Sequence, residues 1–308
     1  MKYRILGRTG LRVSVVGVGT WQFGGEWGRA FSQAEADAIL SRAKVRGINL
    51  IDTAECYGDH VSEALIGNFL RRDRREDWIV ATKFGHRFRS NFTRDDLWSA
   101  AAVRQQLEDS LRALQTDYID LYQFHSGGDD AFDNDELWTM LAKQVQAGKI
   151  RHLGVSISSQ GNRRHQVAGA VAVGAGAIQL VYNRLEREPE AELLPLCLAH
   201  NLGVLARVPL ASGLLSGKYK PGATFTNPAD VRSLREQERL QAQLREVEEI
   251  RAREVPPGVD MAAWALAWCL KHPAVSCVIP GCKSPEQVDA NADAAGLDLV
   301  ADDHPQAA

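Results

Sequence analysis

Four residues in the first 125 carry the groups needed to protonate a carbonyl oxygen: a carboxylate (Asp52), a phenol (Tyr57), an ammonium (Lys83) and an imidazole (His125). They lie in "NLIDTAECYG", "WIVATKFG" and "YIDLYQFH", at or just past the C-terminal ends of apolar, strand-like runs. A free tyrosine has a pKa of about 10, too high for efficient donation at neutral pH. A neighbouring ammonium favours the phenolate and lowers that value, and a buried carboxylate keeps the ammonium charged and in place. Tyr57 thus reads as a general acid, Asp52 and Lys83 as its tuning pair, and His125 as the group that orients the substrate oxygen. Singly, each has a structural alternative: a loop cap, a rim aromatic, an ion pair, a core histidine. Together at strand ends they favour an oxidoreductase acting on aldehydes or ketones.

The elements that must bring them together alternate regularly. Strand-like runs fall near 14–18, 48–52, 78–83, 117–124, 150–156, 177–182, 203–208 and 274–279. Helix-like segments fall near 33–46, 61–72, 97–115, 134–148, 162–172, 191–201, 260–271 and 284–293. Ser32, Thr93 and the pair Ser284-Pro285 read as helix starts. This predicts one α/β domain over 1–308, a closed (β/α)8 TIM barrel with an N-terminal β-hairpin around Arg8, Thr9 and Gly10. An extra helix before the eighth strand opens with the capping box Ser233–Glu236, and carries Leu240, Leu244, Val247 and Ile250 on one stripe. A doubly wound sheet would place a third glycine after Gly17 and Gly19, where Gln22 stands.

The chain holds no group that carries hydride, so a reduced cofactor is implied. Barrels grip phosphate with the loops after strands seven and eight; here these are "PLASGLLSGK", ending in Lys218, and "IPGCKSPEQVDAN". Ser156, Gln179, Asn183 and Arg207 are candidate edge or stacking contacts for a flat ring. Trp21, Phe23, Trp27 and Phe84 are candidate walls for a small-molecule carbonyl substrate. The short segment after the last helix is expected to leave the mouth open. A net charge of −3 argues against nucleic-acid or membrane partners. Five scattered cysteines and a start without an apolar run suit the cytoplasm. Asp59, His60 and His125 lack metal-ligand spacing, and a second pocket acid for a glycosidase is missing. Oligomeric state is not legible.

The chain resembles the aldo-keto reductases through "LGRTGLRVSVVGVGTW", "IDTAECYG" with "SEALIG", "ATKFG", "DYIDLYQFH", "GKIRHLGVS", "IQLVYN", "PLASGLLSGK" and "IPGCKSPEQV". The resemblance implies a barrel that binds extended NADPH, with NADH as the alternative, and gives Tyr57, Lys83, Asp52 and His125 the roles above. It aligns Gly19, Thr20 and Trp21 with the nicotinamide and substrate mouth, and Ser156 and Gln179 with the carboxamide. It aligns Pro209, Leu210, Ser212, Gly213, Leu215 and Lys218 with the pyrophosphate, and Gly281, Lys283, Gln287 and Asn291 with the adenosine end. Three positions depart from the pattern: Ile157 replaces an asparagine, Arg207 an aromatic ring that stacks on nicotinamide, and Gln287 an arginine that grips the adenosine phosphate. The rival reading is a non-catalytic, NADPH-binding redox-sensing subunit.

Overall fold

The apolar runs form eight parallel strands: β1 (Val18–Gly19), β2 (Leu50–Asp52), β3 (Ile79–Phe84), β4 (Ile119–His125), β5 (Ile150–Ser156), β6 (Ala175–Val181), β7 (Gly203–Arg207) and β8 (Val275–Val278). In this computed structural model, which describes residues 1–158 and 163–308, they pair in chain order into one sheet. The sheet returns on itself. Val278 donates to the Val15 carbonyl at 2.9 Å, Gly17 donates to the Val278 carbonyl at 2.8 Å, and bridges join Val16 to Val278 and Gly19 to Gly281. Side chains inside the barrel and helices outside leave both faces mostly dry, which is why the strands read as mostly apolar runs.

Helices Gln33–Val45, Val61–Leu70, Ala100–Leu114, Asp135–Gln146, Arg163–Gly169, Leu193–Ala199, Met261–Leu270 and Pro285–Asp293 follow the strands, close to the expected spans. Residue 162, the start expected for the fifth, lies outside the described residues. Ser32 forms its capping box with Glu35, and Ser284 accepts from the Gln287 amide ahead of Pro285. Thr93 does not cap. It begins a strand, Thr93–Asp96, that pairs antiparallel with His86–Ser90, and the helix starts instead after Ser99. That hairpin was invisible because, out on the rim, its residues need no apolar alternation. Ser233 also fails as a cap: residues 231–234 form a 3-10 turn, and the extra helix runs Gln237–Glu254. Its stripe of Leu240, Leu244, Val247 and Ile250 is buried against Leu214, Leu215, Met261 and Trp264 of the same chain.

Two features fix which end can hold chemistry. The N-terminal hairpin, Tyr3–Ile5 with Arg12–Ser14, packs Leu6 and Val13 into the cluster of inward residues Leu50, Ala81, Leu121, Ala177, Leu205 and Cys277. This closes the barrel floor, and the C-terminal segment runs there too, with Ala307 bridged to Arg4. All five cysteines are buried and free.

Helices Val61–Leu70 and Ala100–Leu114 meet at Gly67, where an added Cβ would lie 2.2 Å from the Ala113 carbonyl oxygen and 2.7 Å from the Leu114 carbonyl carbon. Gly67→Ala must push these helices apart. It is expected to cost roughly 1–3 kcal/mol, read as a lowered Tm, while the activity of the folded fraction is kept.

Candidate active site

At the open end of the barrel, Asp52 closes β2, Lys83 sits near the end of β3, His125 ends β4, and Tyr57 lies in the loop after β2. The sequence scatters these groups over 74 residues; the parallel register gathers them. Lys83 Nζ donates to Asp52 Oδ2 at 2.8 Å, to the Thr53 carbonyl at 2.6 Å and to Tyr57 OH at 3.3 Å. The other oxygen of Asp52 accepts from Gln179 at 2.7 Å and Gln123 at 3.3 Å. All of an ammonium's three donors are therefore used, and Lys83, with 1% of its surface exposed, is held charged at one place.

The phenol's acidity differs from expectation. Burial pushes Tyr57 up to about 12, outweighing the Lys83 ammonium, which pulls it down. Tyr57 is thus a protonated donor at rest, and Lys83 acts by stabilising the phenolate that donation would create. His125 sits edge-on to the Tyr57 ring at 6.3 Å. Burial, followed by the charges of Lys83, His86, Arg207 and Arg94, holds its imidazole well below the usual range, so it is neutral. Cys56 Sγ lies 3.8 Å from its Nδ1. Burial keeps that thiol protonated; with the thiol as the donor to Nδ1, the ring N–H lies on Nε2.

Glu55, missed in the sequence, lies behind this group. One oxygen accepts from the His86 amide at 3.0 Å; the other has no hydrogen-bond partner among the described residues and stands 3.9 Å from His125 Nδ1. Burial, then Glu63, pushes its carboxyl up to about 8. Glu55, Cys56 and His125 hold their potential ligand atoms within 4.8 Å of one another, but Arg94 and Lys83 already face the thiol with positive charge. Because the folded pKa lies above the unfolded carboxyl value of about 4.3, the contribution of Glu55 to stability is whole below that value and is lost as pH rises through about 8. Glu55→Gln removes the titration. Its Tm advantage over wild type is expected to widen from pH 5 to 8 and then level off; parallel Tm–pH curves would disprove the assignment.

A cavity of about 460 Å³ leads away from Tyr57. Gly19, Thr20, Trp21, Asp52, Tyr57, Gln179 and Arg207 line one end, and Pro209, Leu210, Ser212, Gly213, Lys218, Gly281, Lys283, Gln287 and Asn291 carry it outward. Two expected cofactor residues stand back from it. Ser156 is buried and hydrogen bonds to Gln179 at 3.3 Å, and Leu215 packs in the core beneath the extra helix. Asn183 is turned to Glu186 and the Val208 carbonyl. Among the aromatic candidates, Trp21 and Trp27 line the cavity, while Phe23 and Phe84 are core residues.

The C-terminal segment runs along the barrel floor and does not reach the mouth, but another part of the chain borders it. Trp27 pairs with Asp230, Gly28 donates to the Ala229 carbonyl, and Lys283 Nζ donates to the Trp27 carbonyl at 3.0 Å, so the segment 218–232 arches over the cavity. Arg232 and Tyr219 in this arch line it and are joined by a 2.8 Å hydrogen bond. On the other side, the rim hairpin is tied down through buried Glu26, which accepts from Trp21, from Arg94 at 2.6 Å and from the Phe92 amide at 2.7 Å. Pairings across some 200 residues leave no local signal in a sequence.

The far end of the cavity suits a phosphorylated ligand. Ser212 and Gly213, with φ of 59° and 91°, line the space with a tight left-handed turn of the backbone. Lys218, Arg232 and Lys283 line it, and Asp230, bound to Arg232 at 2.6 Å, offsets only part of that charge.

A model of the Aldo/keto reductase family matches residues 15–307. The "Uncharacterized oxidoreductase YqkF" of Bacillus subtilis is 34% identical over 300 residues, which span 96% of this chain and 91% of that protein. Among solved structures, the holo form of aldo-keto reductase AKR11C1 from Bacillus halodurans is 33% identical, with a TM-score of 0.79 over 96% of this chain and 91% of that one. Glycerol dehydrogenase AKR11B4 from Gluconobacter oxydans is 32% identical, with a TM-score of 0.83 over 96% and 90%.

Proposed function

The chain belongs to the aldo/keto reductase family, generally NAD(P)H-dependent oxidoreductases, and from that premise we propose that it reduces aldehydes and ketones to alcohols with NADPH, Tyr57 giving the proton. The observation that carries this reading is the 3.3 Å contact between Lys83 Nζ and Tyr57 OH at the head of a cavity whose other end is cationic. Bound there, the reduced nicotinamide supplies the hydride.

This chain's own residues do the rest. His125, neutral and with its N–H on Nε2, donates to the carbonyl oxygen and directs it toward Tyr57. As negative charge grows on that oxygen, Tyr57 gives up its proton, and the fixed ammonium of Lys83 takes up the phenolate charge without reorganising. Asp52 keeps Lys83 charged and, through Gln179, joins the proton donor to the wall of the cofactor cavity. The oxidation direction uses the same groups in reverse.

Preference for NADPH is supported by Lys218, Arg232 and Lys283 together, since Gln287 brings no charge. Titrating the protein with NADPH and with NADH, followed by nicotinamide fluorescence, is expected to show tighter NADPH binding by tenfold or more. The gap should narrow as salt screens the phosphate contact, and Lys283→Met should narrow it at low salt. Equal affinities with equal salt slopes would reject the NADPH preference. Bound cofactor without turnover of any carbonyl compound would favour the non-catalytic sensing role instead.

A further inference from the structure

The C-terminal residue of β7 puts a cation at the reacting end of the cavity. Arg207 lines it beside Asp52, Tyr57 and Gln179. Its Nη2 donates to the Ile157 carbonyl at 3.1 Å, and its Nε is buried without a partner among the described residues. Its electrostatic attraction comes at longer range, from Tyr57, Asp52 and Glu186. Tyr57 is protonated, and Asp52 already pairs with Lys83 at 2.8 Å. Among the described residues, the head of the cavity therefore holds two fixed cations, Lys83 and Arg207; Asp52 is the carboxylate paired there, Glu186 acts on Arg207 only from farther off, and His125 is neutral. A guanidinium stays charged under all working conditions, so the charge that Arg207 brings to this end is constant.

The two oxidation states of a nicotinamide differ in that charge. The reduced ring is neutral, and the oxidised ring carries one positive charge. We propose that Arg207 makes this protein discriminate between them, binding the reduced cofactor well and repelling the oxidised one. This rests on the nucleotide reading of the cavity given above. The reacting ring must lie within reach of Tyr57, and the wall that Arg207 forms belongs to that end, not to the phosphate end. A guanidinium close to a pyridinium repels it, more strongly in a protein interior than in water. Asp52 offsets part of that repulsion. The expected discrimination is of the order of tenfold, equivalent to a rise of about 30 mV in the potential of the bound two-electron couple. Its benefit during turnover is product release: once hydride has left, the oxidised cofactor finds itself beside a like charge.

The test measures binding, without substrate. NADPH and NADP⁺ are titrated into the full-length protein and into Arg207→Gln and Arg207→Lys, with dissociation constants read by fluorescence for the first nucleotide and calorimetry for the second. In Arg207→Gln the ratio of the NADP⁺ to the NADPH constant is expected to fall about tenfold, mainly because NADP⁺ binds more tightly, and Arg207→Lys is expected to keep the wild-type ratio. A ratio unchanged in Arg207→Gln, with both nucleotides weakened alike, would overturn the proposal and leave Arg207 as a wall. A ratio that falls equally in the lysine variant would overturn it too, since charge would not be the cause. Failure of the wild-type protein to bind either nucleotide is a separate result, and removes the cofactor reading itself.

Discussion

Tyr57→Phe is expected to fold, to bind NADPH as the wild type does, and to lose carbonyl reduction by a factor of about 10² to 10⁴, the usual contribution of a positioned proton donor. The substitution removes one oxygen, which Lys83 touches at 3.3 Å, and leaves its shorter bonds to Asp52 and the Thr53 carbonyl in place. The phenyl ring keeps its stack on Trp21, 6.2 Å away. Turnover of a panel of aldehydes, measured beside NADPH fluorescence titration, checks both halves of the expectation. Wild-type turnover in the variant would disprove the role of Tyr57; loss of cofactor binding with turnover would mean that the ring shapes the cavity.

Lys83→Met is expected to abolish turnover and also to destabilise the fold. Asp52, 4% exposed, would be left as a buried carboxylate with only amide partners. Breaking one side of a buried ion pair typically costs about 3–5 kcal/mol, which for a chain of this size is a fall in Tm of roughly 10 °C. Adding Asp52→Asn should restore most of the Tm, because the orphaned charge is gone, but none of the turnover. Thermal unfolding of the single and double variants separates the two effects. A double variant no more stable than Lys83→Met would show that shape, not charge, is what the pair contributes.

The sequence shows most plainly those parts of the molecule in which one element speaks for itself. Most barrel strand residues are buried and so spell mostly apolar runs, and Asp52, Lys83 and His125 stand out because they lie at or next to the ends of such runs. Tyr57 could be placed near them, but the direction of its pKa could not: that depends on how completely the phenol is dried, a property of the packed site. Glu55 does not stand out in the sequence, because a lone acid two residues from a tyrosine has no distinctive spacing. Its significance is that one of its oxygens has no hydrogen-bond partner among the described residues. The arch is the hardest part to read. Trp27 with Asp230, and Arg232 with Tyr219, look like ordinary loop residues until the fold brings residues 26–28 against 229–231. Ser233 and Thr93 misled because a serine or threonine ahead of an acid marks a turn or a strand end as readily as a helix start.

The complete burial of Cys56, Cys197, Cys269, Cys277 and Cys282 has a practical use. The native chain presents no cysteine thiol to an alkylating reagent, whereas an opened chain presents five. Mass shifts in multiples of one adduct would then count globally opened molecules inside a cell lysate, with no probe attached and no purification, and Cys56 alone would report openings confined to the reaction end.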